Sequence, residues 1–224
     1  MKYEIKGEPF SVLECALEKG EAIRCQKGGM VWMSPNMKME TSGGGIGGMF
    51  KKAISGENIF SNTYTAENGP GLIAFGMSFP GYIMPVDVSN MPIIAQKRAF
   101  IASQPDVNMD IAIQKKLGAG FFGGEGFIMQ KFSGNGMVFL EVDGSCVEKE
   151  LQAGEKIVVD TGNVAAMDAS VSMDIEKVKG LGNVMLGGEG LFNTTLTGPG
   201  RVWLQTMPLS TFVMMLSELM PASK

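Results

Sequence analysis

The first fact about reactive side chains is an absence: none of the 224 residues is histidine. That removes Ser-His-Asp and Cys-His nucleophiles, the two-His-carboxylate iron site and nearly every ordinary zinc hydrolase. Three cysteines, Cys15, Cys25 and Cys146, are an odd number without CxxC spacing. They read as reduced thiols rather than a disulfide framework. Cys15 shares strand parity with Leu13 and Leu17, and Cys25 with Ile23, so both should point inward as inert small hydrophobes. No catalytic residue, cofactor or transition-metal site is expected. One constellation stands apart: Glu57, Glu125 and Glu189 each follow a glycine at corresponding places in the chain. Converging on an axis, they would hold a hard cation or share protons. Otherwise each satisfies amides in its own turn or faces water.

Other motifs have plainer readings. Gly43-Gly44-Gly45-Ile46-Gly47-Gly48 and Gly118-Ala119-Gly120-Phe121-Phe122-Gly123 both fit G-x-G-x-x-G. A dinucleotide fingerprint needs a strand before and a helix after, whereas β-like sequence follows here, so both are expected to be connections. The 19 methionines could suit soft copper. Yet Met37/Met39, Met109 and Met173 occupy matching strand positions, as core-facing residues do. Glu40, Asp110 and Asp174 alternate with apolar neighbours and should face solvent. Basic pairs Lys51-Lys52, Lys97-Arg98 and Lys115-Lys116 lie near Phe50, Phe100, Phe121 and Phe122. Aromatics beside a basic groove bind single-stranded nucleic acid. Against this, 19 Lys and Arg stand against 23 Asp and Glu, a net charge of −4, which gives no general attraction to polyanions.

These residues are set in a chain that repeats itself. Gly123-Gly124-Glu125-Gly126-Phe127 matches Gly187-Gly188-Glu189-Gly190-Leu191 at an offset of 64, and Val107-Asn108-Met109-Asp110-Ile111 matches Val171-Ser172-Met173-Asp174-Ile175 at the same offset. About 70 residues before the second copy, Ile23, Gln26 and Lys27 answer Ile93, Gln96 and Lys97. Leu17, Gly20, Glu21 and Ile23 fall on Leu151, Gly154, Glu155 and Ile157 at an offset of 134. Segments such as Ser11-Val12-Leu13-Glu14-Cys15-Ala16-Leu17 alternate with period two, and 31 glycines punctuate them. The expected fold is all-β: three small sandwich or jelly-roll subdomains, residues 1–75, 76–140 and 141–207, fused about a pseudo-threefold axis. Residues 208–224 read as a C-terminal helix. Leu209, Phe212, Val213, Leu216, Leu219 and Met220 form its apolar face, and Ser210 or Thr211 can cap it. That face should dock on the β body. Apolar residues elsewhere around the helix suggest a second contact and a homo-oligomer.

The runs Gly123-Gly124-Glu125-Gly126-Phe127-Ile128, Val138-Phe139-Leu140-Glu141 and Gly154-Glu155-Lys156-Ile157-Val158-Val159-Asp160-Thr161-Gly162 resemble an uncharacterised bacterial and archaeal family grouped with altered inheritance of mitochondria protein 24. The resemblance covers roughly residues 1 to 215. It implies tandem β-subdomains similar to the tryptophan RNA-binding attenuation protein, of the double-stranded β-helix class, and carries no catalytic residues. Met1-Lys2-Tyr3-Glu4-Ile5-Lys6 lacks the apolar core of a signal peptide and no stretch approaches eighteen uninterrupted apolar residues, so neither a leader nor a membrane helix is expected. The sequence therefore leads to a non-enzymatic, cytoplasmic β scaffold with an unidentified protein partner or its own copies. Nucleic-acid or small-ligand binding is the alternative.

Overall fold

The structure, a computed structural model, describes residues 1–41, 61–115, 126–177 and 192–219. Glu57, Glu125, Glu189, both G-x-G-x-x-G runs, Phe50, Lys51, Lys52, Lys116 and Met220 lie outside them.

The described chain is nearly all strand. After β1 (Lys2–Lys6) come β2 (Val12–Leu17), β3 (Ala22–Gln26), β4 (Met30–Met33), β5 (Met37–Thr41), β6 (Ser61–Ala66) and β7 (Gly71–Gly76). The next six are β8 (Gly81–Asp87), β9 (Ile93–Gln96), β10 (Phe100–Ser103), β11 (Val107–Lys115), β12 (Phe127–Gly134) and β13 (Met137–Asp143). The last six are β14 (Cys146–Leu151), β15 (Lys156–Asp160), β16 (Val164–Asp168), β17 (Ser172–Lys177), β18 (Phe192–Thr197) and β19 (Gly200–Gln205), followed by helix α1 (Leu209–Leu219).

Set aside β1, and the strands fall into three sets of six, β2–β7, β8–β13 and β14–β19. Within each set, the first strand pairs the sixth, the sixth pairs the third, and the second and fourth flank the fifth. Neighbouring strands run antiparallel, as in β2 with β7, β8 with β13 and β14 with β19. The third strand of every set carries a register shift opposite the sixth, at Met30/Trp32, Phe100/Ala102 and Val164/Ala166. Such a bulge bends the strand and re-aims its side chains.

The sets join by sharing sheets. β10 pairs β3, fusing half of the first set to half of the second in a six-stranded sheet, β5-β6-β3-β10-β13-β8. β16 pairs β9 to build β11-β12-β9-β16-β19-β14. A four-stranded sheet, β1-β2-β7-β4, lies at one end and a three-stranded sheet, β15-β18-β17, at the other. A threefold ring would also pair β15 with β4, and the described strands do not include that pairing.

Among the described residues three hydrophobic cores result. The first contains Leu13, Cys15, Ile23, Tyr64 and Phe75 together with Ile83, Ile101 and Phe139 from the second set. The second joins Phe100, Phe132 and Leu140 to Ala165, Ala166 and Trp203. The third gathers Val164, Leu196 and Val202 with Phe127 and Met129. Because the shared sheets are covered on both faces, β13 shows no alternation and is buried from Val138 to Asp143. On β2 the alternation is clean: Leu13, Cys15 and Leu17 are buried and Val12, Glu14 and Ala16 half-buried.

Methionine packing holds at some positions and fails at one. Met37 is buried, as are its counterparts Val107 and Val171. Met109 and Met173 are half-buried against the second and third cores. Met39 is 50% exposed on β5, an edge strand with only β6 beside it among the described strands. Glu40, Asp110 and Asp174 are exposed, as their parity requires.

Helix α1 departs most from expectation. Its first turn is held by Phe79, whose ring centroid is 5.2 Å from that of Phe212, and by Asp143, which accepts the Leu209 N–H. Val213, Leu216 and Leu219 are exposed rather than docked. Val213 to Ser217 and Leu219 are all exposed, so periodicity alone did not say how much of the face would find a surface.

Candidate functional site

Strand β13 carries two carboxylates into the interior, Glu141 and Asp143, on alternate positions of one face. Glu141 accepts from the Ser78 N–H at 2.7 Å and from the Ser78 hydroxyl. Arg98 places Nη2 3.3 Å from Asp143 and 3.7 Å from Glu141. Asp143 Oδ2 accepts the Leu209 N–H at 2.8 Å. Asp143 therefore satisfies the start of α1, the role that Ser210 or Thr211 was expected to fill. Its own N–H donates to Gln205 Oε1 at 3.1 Å, and Gln205 Nε2 donates to the Gly162 carbonyl at 2.7 Å. Burial raises both carboxyls, opposed by the Ser78 hydrogen bonds and Arg98 at Glu141, and by Arg98 and the Leu209 N–H at Asp143. Paired acids of raised pKa can serve as proton donors. Here both are occupied by structural partners and closed to solvent, so the cluster anchors α1.

A cleft of about 720 Å³ opens beside it, between β8, β14 and β19. Tyr82, Pro85, Cys146, Glu148, Arg201 and Trp203 are among its walls. Trp203 Nε1 donates to Glu148 at 2.8 Å, and the Arg201 guanidinium lies 4.9 Å from the Trp203 ring centroid. Asp168 accepts from the Arg201 N–H at 2.8 Å and from Nε at 3.3 Å. The arginine is thereby held over the indole, a preorganised aromatic and cationic wall.

The three thiols behave as inert residues. Cys15 and Cys25 are buried, and desolvation pushes each up to about 12. Cys146 is half-buried in the cleft wall and raised by burial and then by Glu148. Such thiols are poor nucleophiles at neutral pH. The basic and aromatic residues do not form one groove among the described residues. Phe100 is buried and stacked on Phe132 at 5.8 Å. Arg98 serves the carboxylate cluster, and Lys115 lies 3.8 Å from Asp174. Glu57, Glu125 and Glu189 belong to segments outside the described residues. Sequence reasoning missed the Arg98 cluster, although a signal existed: Glu141 and Asp143 interrupt the otherwise apolar Met137–Asp143 run.

The family model for Mitochondrial biogenesis AIM24 matches residues 3–207. The chain belongs to this family. An uncharacterized protein of Streptococcus pyogenes serotype M6 is 27% identical over 224 residues, covering 96% of this chain and 88% of that protein. A crystal structure of a Streptococcus pyogenes protein gives a TM-score of 0.82 at 23% identity, over 98% of this chain and 99% of that one. That likeness establishes the fold of this AIM24-family chain. Among the described residues no helix is long and apolar enough to cross a membrane.

Proposed function

We propose that this AIM24-family protein is a non-enzymatic β scaffold that works by docking other macromolecules on exposed apolar surfaces. The observation that supports this is α1. Val213, Met214, Met215, Leu216 and Leu219 are all exposed, from 37% to 77%. The helix is nevertheless anchored at its base by Asp143 and Phe79. A helix held at one end with its apolar side chains in water presents a ready groove-filling surface. Affinity capture from native lysate with the wild type and with a Leu216→Glu/Leu219→Glu variant tests the reading. Proteins retained by the wild type and lost from the variant support it; identical captured sets overturn it.

The second reading is small-ligand binding in the cleft, favoured by the Arg201–Trp203 wall and by a volume within the roughly 300–1,000 Å³ of ligand pockets. The chain has two tryptophans, so Trp32→Phe leaves Trp203 as sole reporter. Saturable change in its emission on titration with aromatic or phosphorylated metabolites would support this reading. An absorbance ratio raised toward 260 nm in the purified protein would point to bound nucleic acid instead.

A further inference from the structure

Among the described strands two junctions tie the sets together, and both follow one rule. β10 lies on β3 with Ala102 opposite Cys25 and Ser103 opposite Arg24. β16 lies on β9 with Ala166 opposite Ala95 and Met167 opposite Ile94. The second strand of one set thus pairs the third strand of the next. Two strands have not made that pairing: among the described strands β15 pairs only β18, and β4 pairs only β7. They are the two strands that a third junction built by the same rule would use.

Residue correspondence extends the rule to side chains. The shared bulge makes Trp32 the counterpart of Ala102 and Ala166, and Met33 that of Ser103 and Met167. The offsets of 134 and 64 make Val158 the counterpart of Arg24 and Ile94, and Val159 that of Cys25 and Ala95. Where the junction is made, these positions on the third strand are closed: Ala102 and Ser103 are 0% exposed, Ala166 and Met167 1%. On β4, Val31, Trp32 and Met33 are 53%, 46% and 39% exposed, and Val158 on β15 is 62% exposed. Ile94, the counterpart of Val158, packs against the third core. Among the described strands both edges therefore carry apolar side chains more exposed than their counterparts, which are buried on the third strand and half-buried at Arg24 and Ile94 on the second. An uncovered strand edge is a template for another strand.

A size exchange points the same way. Ala102 sits opposite Phe139 and Ala166 opposite Trp203, whereas Trp32 sits opposite Ala74. Phe139, from the second set, fills the first core, and Trp203, from the third set, fills the second core. In the first set the aromatic has moved to the neighbouring strand and has no preceding core to enter.

We propose that β15 of one copy pairs antiparallel with β4 of a second copy, with Val159 opposite Trp32 and Val158 opposite Met33. Trp32 then enters the partner copy's third core beside Ile157 and Val159. Val158 packs on the other face, as Ile94 does within the chain. The contact is head to tail, so each end stays free for another copy and the assembly is a ring or an open row. The inference rests on the scaffold reading in naming a second copy as what is docked, but it uses strands remote in sequence from α1.

Light scattering after gel filtration, at micromolar concentration, provides the test. Wild type is expected to run as multiples of 23.9 kDa. Trp32→Glu and Val158→Glu, at exposed sites that leave the fold intact by circular dichroism, are each expected to run as monomers. Mixed, they retain one good β4 and one good β15 edge between them, so they should form a single heterodimer that does not extend. A wild-type monomer, an oligomer indifferent to both variants, or a mixture without heterodimer would each overturn the proposal. Removal of residues 209–224 separates the two readings: the oligomer should persist without α1 while lysate capture falls. Loss of the oligomer on that truncation alone, with both edge variants still assembled, sinks the strand junction.

Discussion

Phe139 belongs by sequence to the second strand set, yet its ring lies in the first core, 4.9 Å edge-on from Tyr3. It is fully buried, so truncation removes both transfer energy and contacts that a relaxed backbone recovers only in part. Phe139→Ala should cost about 3–5 kcal/mol in denaturant unfolding. A loss below about 1.5 kcal/mol would mean the joint between sets is loosely packed. Glu141 supplies a second residue-level prediction. Burial raises its carboxyl above the ordinary value of 4.5, against the pull of Ser78 and Arg98. The native state therefore binds this proton more tightly than the unfolded chain does. Its contribution to stability is greatest below 4.5 and is lost as pH rises through the higher native value. Glu141→Gln removes that titration, so its melting temperature should decline less than that of the wild type as pH rises above 4.5. Parallel profiles for the two proteins would refute a burial-controlled Glu141. The inward parity of Cys15 and Cys25 was readable from alternation alone. The Arg98 cluster was not, because Ser78, Arg98, Glu141 and Leu209 come from separate segments that only the folded chain brings together.

At the scale of elements, strand positions and turns were legible because alternation and glycine report local backbone needs. Gly134 adopts φ +104° and Gly200 φ +138°, and a Cβ on Gly134 would collide with the Asp106 carbonyl. Both lie in turn signals that the sequence displays, Gly134-Asn135-Gly136 and Gly198-Pro199-Gly200. What could not be read was which strand crosses to the neighbouring set, since short apolar runs such as β4 and β9 look alike in sequence. That choice depends on the surface a strand meets, as does the fate of α1. Its hydrophobic spacing is correct for docking, but it is Phe212 and the backbone of Leu209 that meet partners reaching from the body. Asp143→Ala should therefore loosen the helix more than the sheets. Loss of a capping carboxylate costs about 1 kcal/mol, roughly a fivefold rise in local opening. Amide exchange within residues 209–219 should accelerate by that order while β16 and β19 remain protected. Uniform acceleration across the sheets would instead place Asp143 in the global stability of the fold.

For the whole molecule, the repeat offsets announced equivalent strands but not how tightly the sets depend on one another. The shared sheets answer this, because β10 and β13 build part of the first core while β16 and β19 build part of the second. Unfolding one set strips a wall from its neighbour and exposes Phe139 or Trp203. Cooperativity across all three sets follows, even though the chain is long enough for separate domains. Two probes, one in the first core and one in the second, can measure it. In a Trp32→Phe/Cys146→Ser variant, the thiols of Cys15 and Cys25 report the first core. The emission of Trp203 reports the joint between the second and third sets. Both thiols are buried in the folded protein, so their reaction with an aromatic disulfide requires opening of that core. Thiol reactivity and Trp203 emission should share one urea midpoint and one slope, the signature of a single transition. Two midpoints, with the thiols exposed while Trp203 keeps its native emission, would show that the β3–β10 junction is a hinge between separately stable parts.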